Sequence, residues 1–257
     1  MTSATRPVLV KICGITSESD ALLAVALGAD AIGFVFAPSP RQMAPRAVQR
    51  IVERVPAEIL TVGVFRDEAP QRVVEIANRI GLQAVQLHGS ETAVESQWVA
   101  SRVGLVIKAF PAGHPGIAAA GDYGAELVLV DAASPGSGKV FDWRLAEGVV
   151  DPSRLLVAGG LHAGNVADAI AHLGPRGVDV ASGVESSPGT KDPRLLQAFI
   201  AEVRRASGGA GAGEVPGVSG GPAAGVARWA AGSRVQGAPA GADEEAEDGP
   251  FNWEVGR

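Results

Sequence analysis

The chain has 257 residues, a hydrophobic content of 46%, a formal net charge of −6 and a single cysteine, Cys13. Because nucleic-acid backbones are bound by clustered Lys and Arg, the acidic balance argues against a nucleic-acid partner, and one cysteine excludes an intramolecular disulfide. No apolar run reaches the roughly 18 residues of a membrane span and residues 1–7 lack the apolar stretch of a signal peptide, so we expect a cytoplasmic protein with no membrane partner.

Short apolar runs alternate with amphipathic runs from residue 8 to about residue 206. The apolar runs predict strands at 8–12, 31–36, 60–65, 83–87, 105–109, 126–130, 154–158 and 178–181. The amphipathic runs predict helices at 17–27, 45–54, 69–80, 91–102, 114–120, 143–148, 163–173 and 192–205. Continuous apolar runs are typical of parallel strands buried on both faces, so the pattern predicts an α/β fold with a single (β/α)8 TIM barrel. An open doubly wound sheet is the alternative that the pattern leaves open.

The composition changes after residue 206. Residues 207–257 hold 13 Gly and 4 Pro among 51 positions, with seven acidic and three basic residues. Such a segment cannot bury enough apolar surface to offset its ordering entropy, so we expect a catalytic domain at 1–206 and a disordered acidic tail at 207–257. Residues 222–231 are expected to be at most transiently helical. Residues 251–253 are either a docking motif or, as we favour, part of a solvated extension, and truncation after Ala206 should leave stability and turnover nearly unchanged.

Two strand ends carry side chains with catalytic potential, because catalytic groups of TIM barrels project from the carboxyl ends of strands. Cys13 ends the first strand and could act as a base or nucleophile if its pKa were lowered, although an isolated cysteine is more often a small core hydrophobe. Asp131 follows the sixth strand and either caps a loop or projects into the mouth of the barrel.

Two further polar residues follow other strands. Arg41 stands at the end of a proline-stiffened loop, where its guanidinium could pair with a carboxylate or could simply face solvent. His88 follows the fourth strand and could be an acid or base, a ligand contact or, as is commonest for an isolated histidine, a structural hydrogen-bonding group.

Small residues dominate two late strand ends, at 155–161 and 177–192. Glycines allow close backbone approach to a ligand and helix-start amides attract anions, so these segments predict a phosphate site and a small phosphorylated substrate. The glycine-rich residues 134–143 could close over a ligand, but they lack the Walker A spacing. The chain has neither a dinucleotide fingerprint nor metal-ligand spacing, so we expect no cofactor and no metal.

Six motifs occur in one order over residues 8–206. They occupy residues 11–16, 33–41, 86–89, 130–143, 158–166 and 178–192. Together they resemble the phosphoribosylanthranilate isomerase family, (β/α)8 barrels of tryptophan biosynthesis. The resemblance implies an aldose–ketose isomerase that performs an Amadori rearrangement of N-(5-phosphoribosyl)anthranilate to 1-(2-carboxyphenylamino)-1-deoxyribulose 5-phosphate, the third step from chorismate, without metal or cofactor.

The resemblance also implies roles for individual residues. Asp131 would be the general acid that opens the ribose ring, and Cys13, as thiolate, the general base. Arg41 would hold the anthranilate carboxylate, with His88 as a further substrate contact. The phosphate would be held by backbone amides of Gly159, Gly160, Ser182 and Gly183. The tail lies outside the resemblance, and the family leaves monomer and homodimer open.

Two rival functions remain. A sugar isomerase of histidine biosynthesis, or a dual-substrate form of it, would carry aspartates after the first and fifth strands, where this chain has Cys13 and residues 108–110. A phosphoribosyl-ligand-binding barrel without catalysis could discard Cys13 and Asp131, but both are present.

Overall fold

A computed structural model describes residues 7–132, 143–208, 226, 227 and 229. Eight parallel strands pair in chain order, and β8 pairs with β1, so the sheet closes into a barrel. The strands are β1 Leu9–Cys13, β2 Ala31–Val35, β3 Leu60–Phe65, β4 Ala84–Leu87, β5 Val106–Pro111, β6 Leu127–Asp131, β7 Leu155–Val157 and β8 Gly177–Val180. The predicted TIM barrel is confirmed, and the sheet is not the open doubly wound alternative.

Six α-helices lie outside the barrel within the described ranges. They are α1 Glu18–Ala26, α2 Pro45–Val52, α3 Pro70–Ile80, α4 Ala93–Ala100, α5 Val166–Leu173 and α6 Pro193–Ala206. The α-helices predicted at 114–120 and 143–148 are wrong, because these regions contain short 3-10 helices at Pro115–Ile117, Ala120–Tyr123 and Trp143–Leu145. A stretch this short, or one interrupted by glycines, does not sustain the successive turns of an α-helix.

The barrel interior has an apolar layer at the amino ends of the strands and a polar layer at their carboxyl ends. Side chains alternate along a strand, so Leu9, Lys11 and Cys13 of β1 share one face. On β6, Leu129 and Asp131 share a face in the same way. The apolar layer consists of Leu9, Ala31, Leu60, Val62, Ala84, Leu105, Ile107, Ala109, Leu127, Leu129, Leu156 and Ala158.

A short antiparallel hairpin separates β8 from α6. Its strands are β9 Glu185–Ser187 and β10 Thr190–Lys191. Between them Gly189 has a φ of +86°, a left-handed conformation that favours glycine. The sequence pattern does not predict this hairpin. The hairpin places two charged side chains, Glu185 and Lys191, at the polar end of the barrel.

Most of the segment 207–257 lies outside the described residues, as do residues 133–142 of the glycine-rich loop. Ser207 and Gly208 follow α6 directly, and residues 226, 227 and 229 are helical. Trp229 is only 1% exposed and belongs to the apolar layer inside the barrel. The composition of the segment gives no indication of a buried tryptophan. Among the helices in the described ranges, none has the length and apolar content that crossing a bilayer requires.

Candidate active site

Cys13 is the last residue of β1 and lies in the polar layer, where it is 8% exposed. The neighbouring strand contributes Gly33, where a Cβ atom would lie 3.0 Å from the Cys13 Sγ and 3.1 Å from the Lys11 Nζ. A side chain at Gly33 would therefore crowd both groups. The thiol lies at the mouth of the barrel as predicted, but beside a lysine that the sequence analysis overlooked.

Lys11 is fully buried and donates to Asp179 Oδ1 over 2.9 Å. Burial lowers the pKa of the Lys11 ammonium, but Asp179 and Cys13 raise that pKa by more, so the lysine stays protonated. Burial raises the pKa of the Cys13 thiol, and the nearby Lys11 charge only partly offsets this, so the pKa stays above its ordinary value. In the ligand-free protein the thiol is therefore the favoured form at neutral pH.

Asp131 is the last residue of β6 and is 6% exposed. Its Oδ1 accepts a hydrogen bond from the Ala132 amide at 2.7 Å, and its Oδ2 lies 3.3 Å from His88 Nε2. Asp131 thus caps the start of the following loop and also faces a histidine. The loop cap and the projection into the barrel mouth, which the sequence left as alternatives, are therefore both present.

His88 is oriented by Gln86, whose Nε2 lies 2.8 Å from His88 Nδ1. With the amide donating to Nδ1, the proton of a neutral imidazole sits on Nε2, which faces Asp131. That Nε2 is buried and makes no hydrogen bond of good geometry within the described part of the chain. The histidine therefore combines a structural contact with a polar atom that can still take a partner.

Arg41 is not a solvent-facing arginine, because its side chain is only 14% exposed. Its guanidinium donates two hydrogen bonds to Glu185, from Nε over 2.9 Å and from Nη2 over 2.7 Å. The side chain lies over Gly14, which has a φ of +74° and where a Cβ would come within 2.5 Å of the Arg41 Cδ. In the ligand-free protein, the carboxylate partner of Arg41 thus comes from the chain itself.

The β9–β10 hairpin supplies this carboxylate and a second cation. Lys191 donates to Glu185 Oε1 at 2.9 Å and to the Cys13 carbonyl oxygen at 2.6 Å. Burial raises the pKa of Glu185, but the hydrogen bonds from Arg41 and Lys191 outweigh burial and leave that pKa below its ordinary value. Glu185 is therefore ionised and links the Arg41 loop to the end of β1.

The residues predicted to bind phosphate lie on two adjoining loops. Gly159 and Gly160 follow β7 with φ angles of +83° and +65°, and Ser182 and Gly183 lie in a 3-10 helix after β8. A Cβ on Gly183 would lie 1.9 Å from the Leu161 carbonyl oxygen, so the loops pack too closely for a larger residue there. Among the described residues outside helices and strands, the amides of Gly159 and Gly160 donate no hydrogen bond to the backbone. They remain available to an anion.

A second buried ion pair lies on the outer face of the sheet, since Lys108 alternates along β5 with the inward-facing Ile107 and Ala109. Lys108 is 1% exposed and donates to Glu91 Oε2 at 2.6 Å and to the Gly89 carbonyl oxygen at 2.8 Å. Glu91 in turn accepts from the Gly89 amide at 2.9 Å. This network fixes the loop that begins at His88.

The sequence pattern supports Asp179 as a support of the phosphate loop, but assigns no role to five other charged residues around the candidates. These are Lys11, Glu91, Lys108, Glu185 and Lys191. One signal was present, since Lys11 and Lys108 interrupt apolar strands, and a buried lysine must find a partner. Across the described residues, no group of three or more His, Cys, Asp or Glu side chains could hold a metal ion.

A closed barrel with ionisable side chains at the carboxyl ends of its strands defines the class, a (β/α)8 barrel enzyme. Within that class the chain belongs to the N-(5'-phosphoribosyl)anthranilate isomerase family, whose model matches residues 10–202. An isomerase of this name from Desulforudis audaxviator is 46% identical over 205 residues, which cover 77% of this chain and 98% of the relative.

Two solved structures are similar over a comparable part of the chain. One concerns monomers of the dimeric phosphoribosylanthranilate isomerase from Thermotoga maritima, with a TM-score of 0.69, 38% identity and coverage of 77% of this chain and 99% of that one. The other is an isomerase in complex with reduced 1-(o-carboxyphenylamino)-1-deoxyribulose 5-phosphate, with a TM-score of 0.69, 39% identity and the same coverage of each chain.

Proposed function

We propose that this chain isomerises N-(5-phosphoribosyl)anthranilate to 1-(2-carboxyphenylamino)-1-deoxyribulose 5-phosphate, a step of tryptophan biosynthesis. The supporting observation is the family match over residues 10–202 together with Cys13 and Asp131 at the carboxyl ends of β1 and β6. An Amadori rearrangement needs one acid and one base at a sugar, and these two residues can supply them.

Asp131 is the proposed general acid of the first step. Its carboxyl group donates a proton to the ribose ring oxygen, the bond from that oxygen to C1′ breaks, and the nitrogen lone pair forms an iminium at C1′. His88 Nε2 lies 3.3 Å from Asp131 Oδ2, so its N–H is placed to orient the carboxyl group, and the proton that later leaves the C2′ hydroxyl restores the acid.

Cys13 is the proposed general base of the second step. The thiolate takes the proton from C2′, and the electron pair of that bond forms the C1′–C2′ double bond while the iminium is neutralised. The enolamine then gains a proton at C1′ and loses the hydroxyl proton at C2′ to give the ketone. The Lys11 ammonium stabilises the thiolate during this step.

Two anionic groups of the substrate hold it in place. The phosphate binds the amides of Gly159, Gly160, Ser182 and Gly183. In the β7 loop, the left-handed conformations of Gly159 and Gly160 expose the backbone. The anthranilate carboxylate binds Arg41, whose guanidinium is held in place by its two hydrogen bonds to Glu185.

The test follows the fluorescence of freshly made phosphoribosylanthranilate after the purified protein is added. Wild-type protein should consume the substrate, while Cys13→Ser and Asp131→Asn should each lose roughly 10² to 10⁴ in kcat with a near-native Tm. Near-wild-type turnover in either variant would remove that residue from the mechanism. No turnover by folded wild-type protein would favour a phosphoribosyl-ligand-binding barrel without catalysis.

The same preparation addresses the finer proposals. Turnover of the corresponding aminoaldose of histidine biosynthesis would establish the dual-substrate alternative, which we disfavour because β5 ends in Pro111 without an acid. Sedimentation would distinguish a monomer from a homodimer. A cytoplasmic location and a small phosphorylated substrate follow from the proposed reaction.

A further inference from the structure

Trp229 lies inside the amino-terminal end of the barrel, although it comes 23 positions after the last residue of α6, Ala206. It is 1% exposed and is the largest of the fully buried side chains in the described residues. It belongs to one apolar cluster with inward-facing residues of seven strands, namely Leu9, Ala31, Leu60, Ala84, Ile107, Leu127 and Leu156. The indole therefore lies at the opposite end of the barrel from Cys13 and Asp131.

Small residues in this layer leave room for the indole. Ala31 and Ala84 begin β2 and β4 and are fully buried, at positions where barrel interiors commonly carry bulky side chains. Protein interiors are packed to the density of organic crystals, so the volume that two alanines leave must be filled. Trp229, which lies beyond the residues that the family model matches, fills this volume.

Val226 supports the same placement. It precedes Trp229 by three residues on a helical segment, so the two side chains share a face. Val226 packs against the same apolar cluster, and its Cγ2 lies 3.7 Å from where a Cβ on Gly104 would be. Ala227, between them, is exposed. Val226 and Trp229 thus face the barrel, while Ala227 faces solvent.

The chain leaves the barrel at the end where Trp229 enters. Arg204, in the last turn of α6, donates to the carbonyl oxygens of Val8 and Gly28, which precede β1 and β2. The 17 residues at 209–225 separate this point from the helical segment. Fully extended, they could span roughly 55 Å, whereas a domain of about 200 residues has a radius of gyration of only about 16 Å. The same chain can therefore reach its own barrel.

We propose that Val226 and Trp229 form a plug, supplied in cis by the chain's own carboxyl-terminal segment, that completes the apolar layer at the amino end of the barrel. The isomerase relatives are covered almost to their full length while 77% of this chain is matched, so the plug is an addition to the family fold. It contributes to the core and not to the chemistry at the other end. The proposal is independent of the proposed function.

Two pairs of variants in the full chain test the plug by thermal unfolding. Trp229→Ala should lower Tm by roughly 6 °C or more, as expected for a large buried aromatic side chain, while Trp229→Phe should retain most of the stability. The phenylalanine variant is informative because the buried Trp229 Nε1 has no hydrogen-bond partner among the described residues. Val226→Asp should also lower Tm, whereas Ala227→Asp at the exposed neighbouring position should not.

The four variants should keep the wild-type kcat/KM, since none lies at the carboxyl end of the barrel. Equal Tm values for Trp229→Ala and wild type, or equal losses in Val226→Asp and Ala227→Asp, would overturn the plug. The occupant is tested separately by measuring the Tm difference between wild type and Trp229→Ala over a wide range of protein concentration. A difference that stays constant supports the cis plug in a monomer or a homodimer, and a difference that grows with concentration would assign the plug to a second copy of the chain.

Discussion

At the scale of single residues, Cys13 lies in surroundings that oppose the ionisation its proposed role requires. Burial raises the pKa of the thiol and Lys11 offsets this only in part. Below the pKa, the thiolate fraction rises about tenfold per pH unit, so kcat/KM should rise with pH through the neutral range. The buried Lys11 limits the rise in the thiol pKa, so the increase in kcat/KM begins at a lower pH than it would without the lysine.

Replacing Lys11 by methionine should move this rise to higher pH. The change removes the cation that favours the thiolate, and it leaves Asp179, whose charge raises the pKa of Cys13, without its partner. Both effects raise the pKa of Cys13. The pH profile of kcat/KM, measured from roughly pH 6 to 10, should therefore shift to the alkaline side, with lower activity at neutral pH.

Asp179→Asn is the matched control, because it breaks the same ion pair but removes the negative charge. Its profile should shift to the acidic side, since Lys11 then acts on Cys13 unopposed. A loss of Tm common to both variants would report only the broken pair. Profiles that shift in the same direction, or not at all, would show that Lys11 does not tune the thiol.

At the scale of elements, the regular units could be predicted and the irregular ones could not. The strand at 60–65 is observed as Leu60–Phe65, because a buried parallel strand carries its signal in a continuous apolar run. Ser17 and Asp192 cap α1 and α6 as their position before an amphipathic run suggests. These features depend on neighbours in sequence.

The β9–β10 hairpin and the ion pairs could not be predicted because they depend on neighbours in space. A strand of two or three residues, such as Thr190–Lys191, has no periodicity to detect. Arg41 and Glu185 are 144 positions apart and meet only because β2 and β8 both flank β1. The candidate residues themselves could be found, since they follow strands, but their partners could not.

The contact between the β7 and β8 loops yields a prediction about anion binding. A Cβ on Gly183 would lie 1.9 Å from the carbonyl oxygen of Leu161, so Gly183→Ala must push the two loops apart. The amides proposed to hold the phosphate would then diverge. We expect KM for the substrate and the inhibition constant for inorganic phosphate both to rise about tenfold or more, as for the loss of one good hydrogen bond to a charged group.

Gly121→Ala is the control for this substitution. A Cβ there would meet nothing within 4 Å, and Gly121 has an ordinary φ. This variant should therefore keep the wild-type constants for substrate and phosphate. If Gly183→Ala changes kcat but leaves phosphate inhibition untouched, the loop is not the phosphate site.

At the scale of the whole molecule, the two ends of the barrel differ in the side chains that they contain. The polar layer collects the ionisable groups at the carboxyl end, whereas the apolar layer and Trp229 fill the amino end. Chemistry and stability can therefore be altered separately. The composition of the segment after residue 206 does not indicate the buried Trp229, because glycine and alanine dominate the sequence around it.

The contact between the last helix and the amino end of the barrel offers a test of this separation. Arg204 of α6 donates to Asp30 Oδ2 over 2.8 Å and to the carbonyl oxygens of Val8 and Gly28, so it ties the end of the fold to its beginning. Asp30 is 3% exposed and also accepts from the Val10 amide. Arg204→Met should cost about 2–3 kcal/mol, because buried acceptors lose a charged donor, and should lower Tm by roughly 4–12 °C.

Arg205 provides the matched comparison at the next position. Its side chain is 70% exposed and pairs with Glu202 within the same helix, so Arg205→Met should change Tm by no more than about 1–2 °C. Both variants should keep the wild-type kcat/KM, because Arg204 contacts the amino ends of β1 and β2 while the proposed catalytic groups lie at the carboxyl ends. A loss of activity in Arg204→Met below its unfolding transition would show that the two ends are coupled through the barrel.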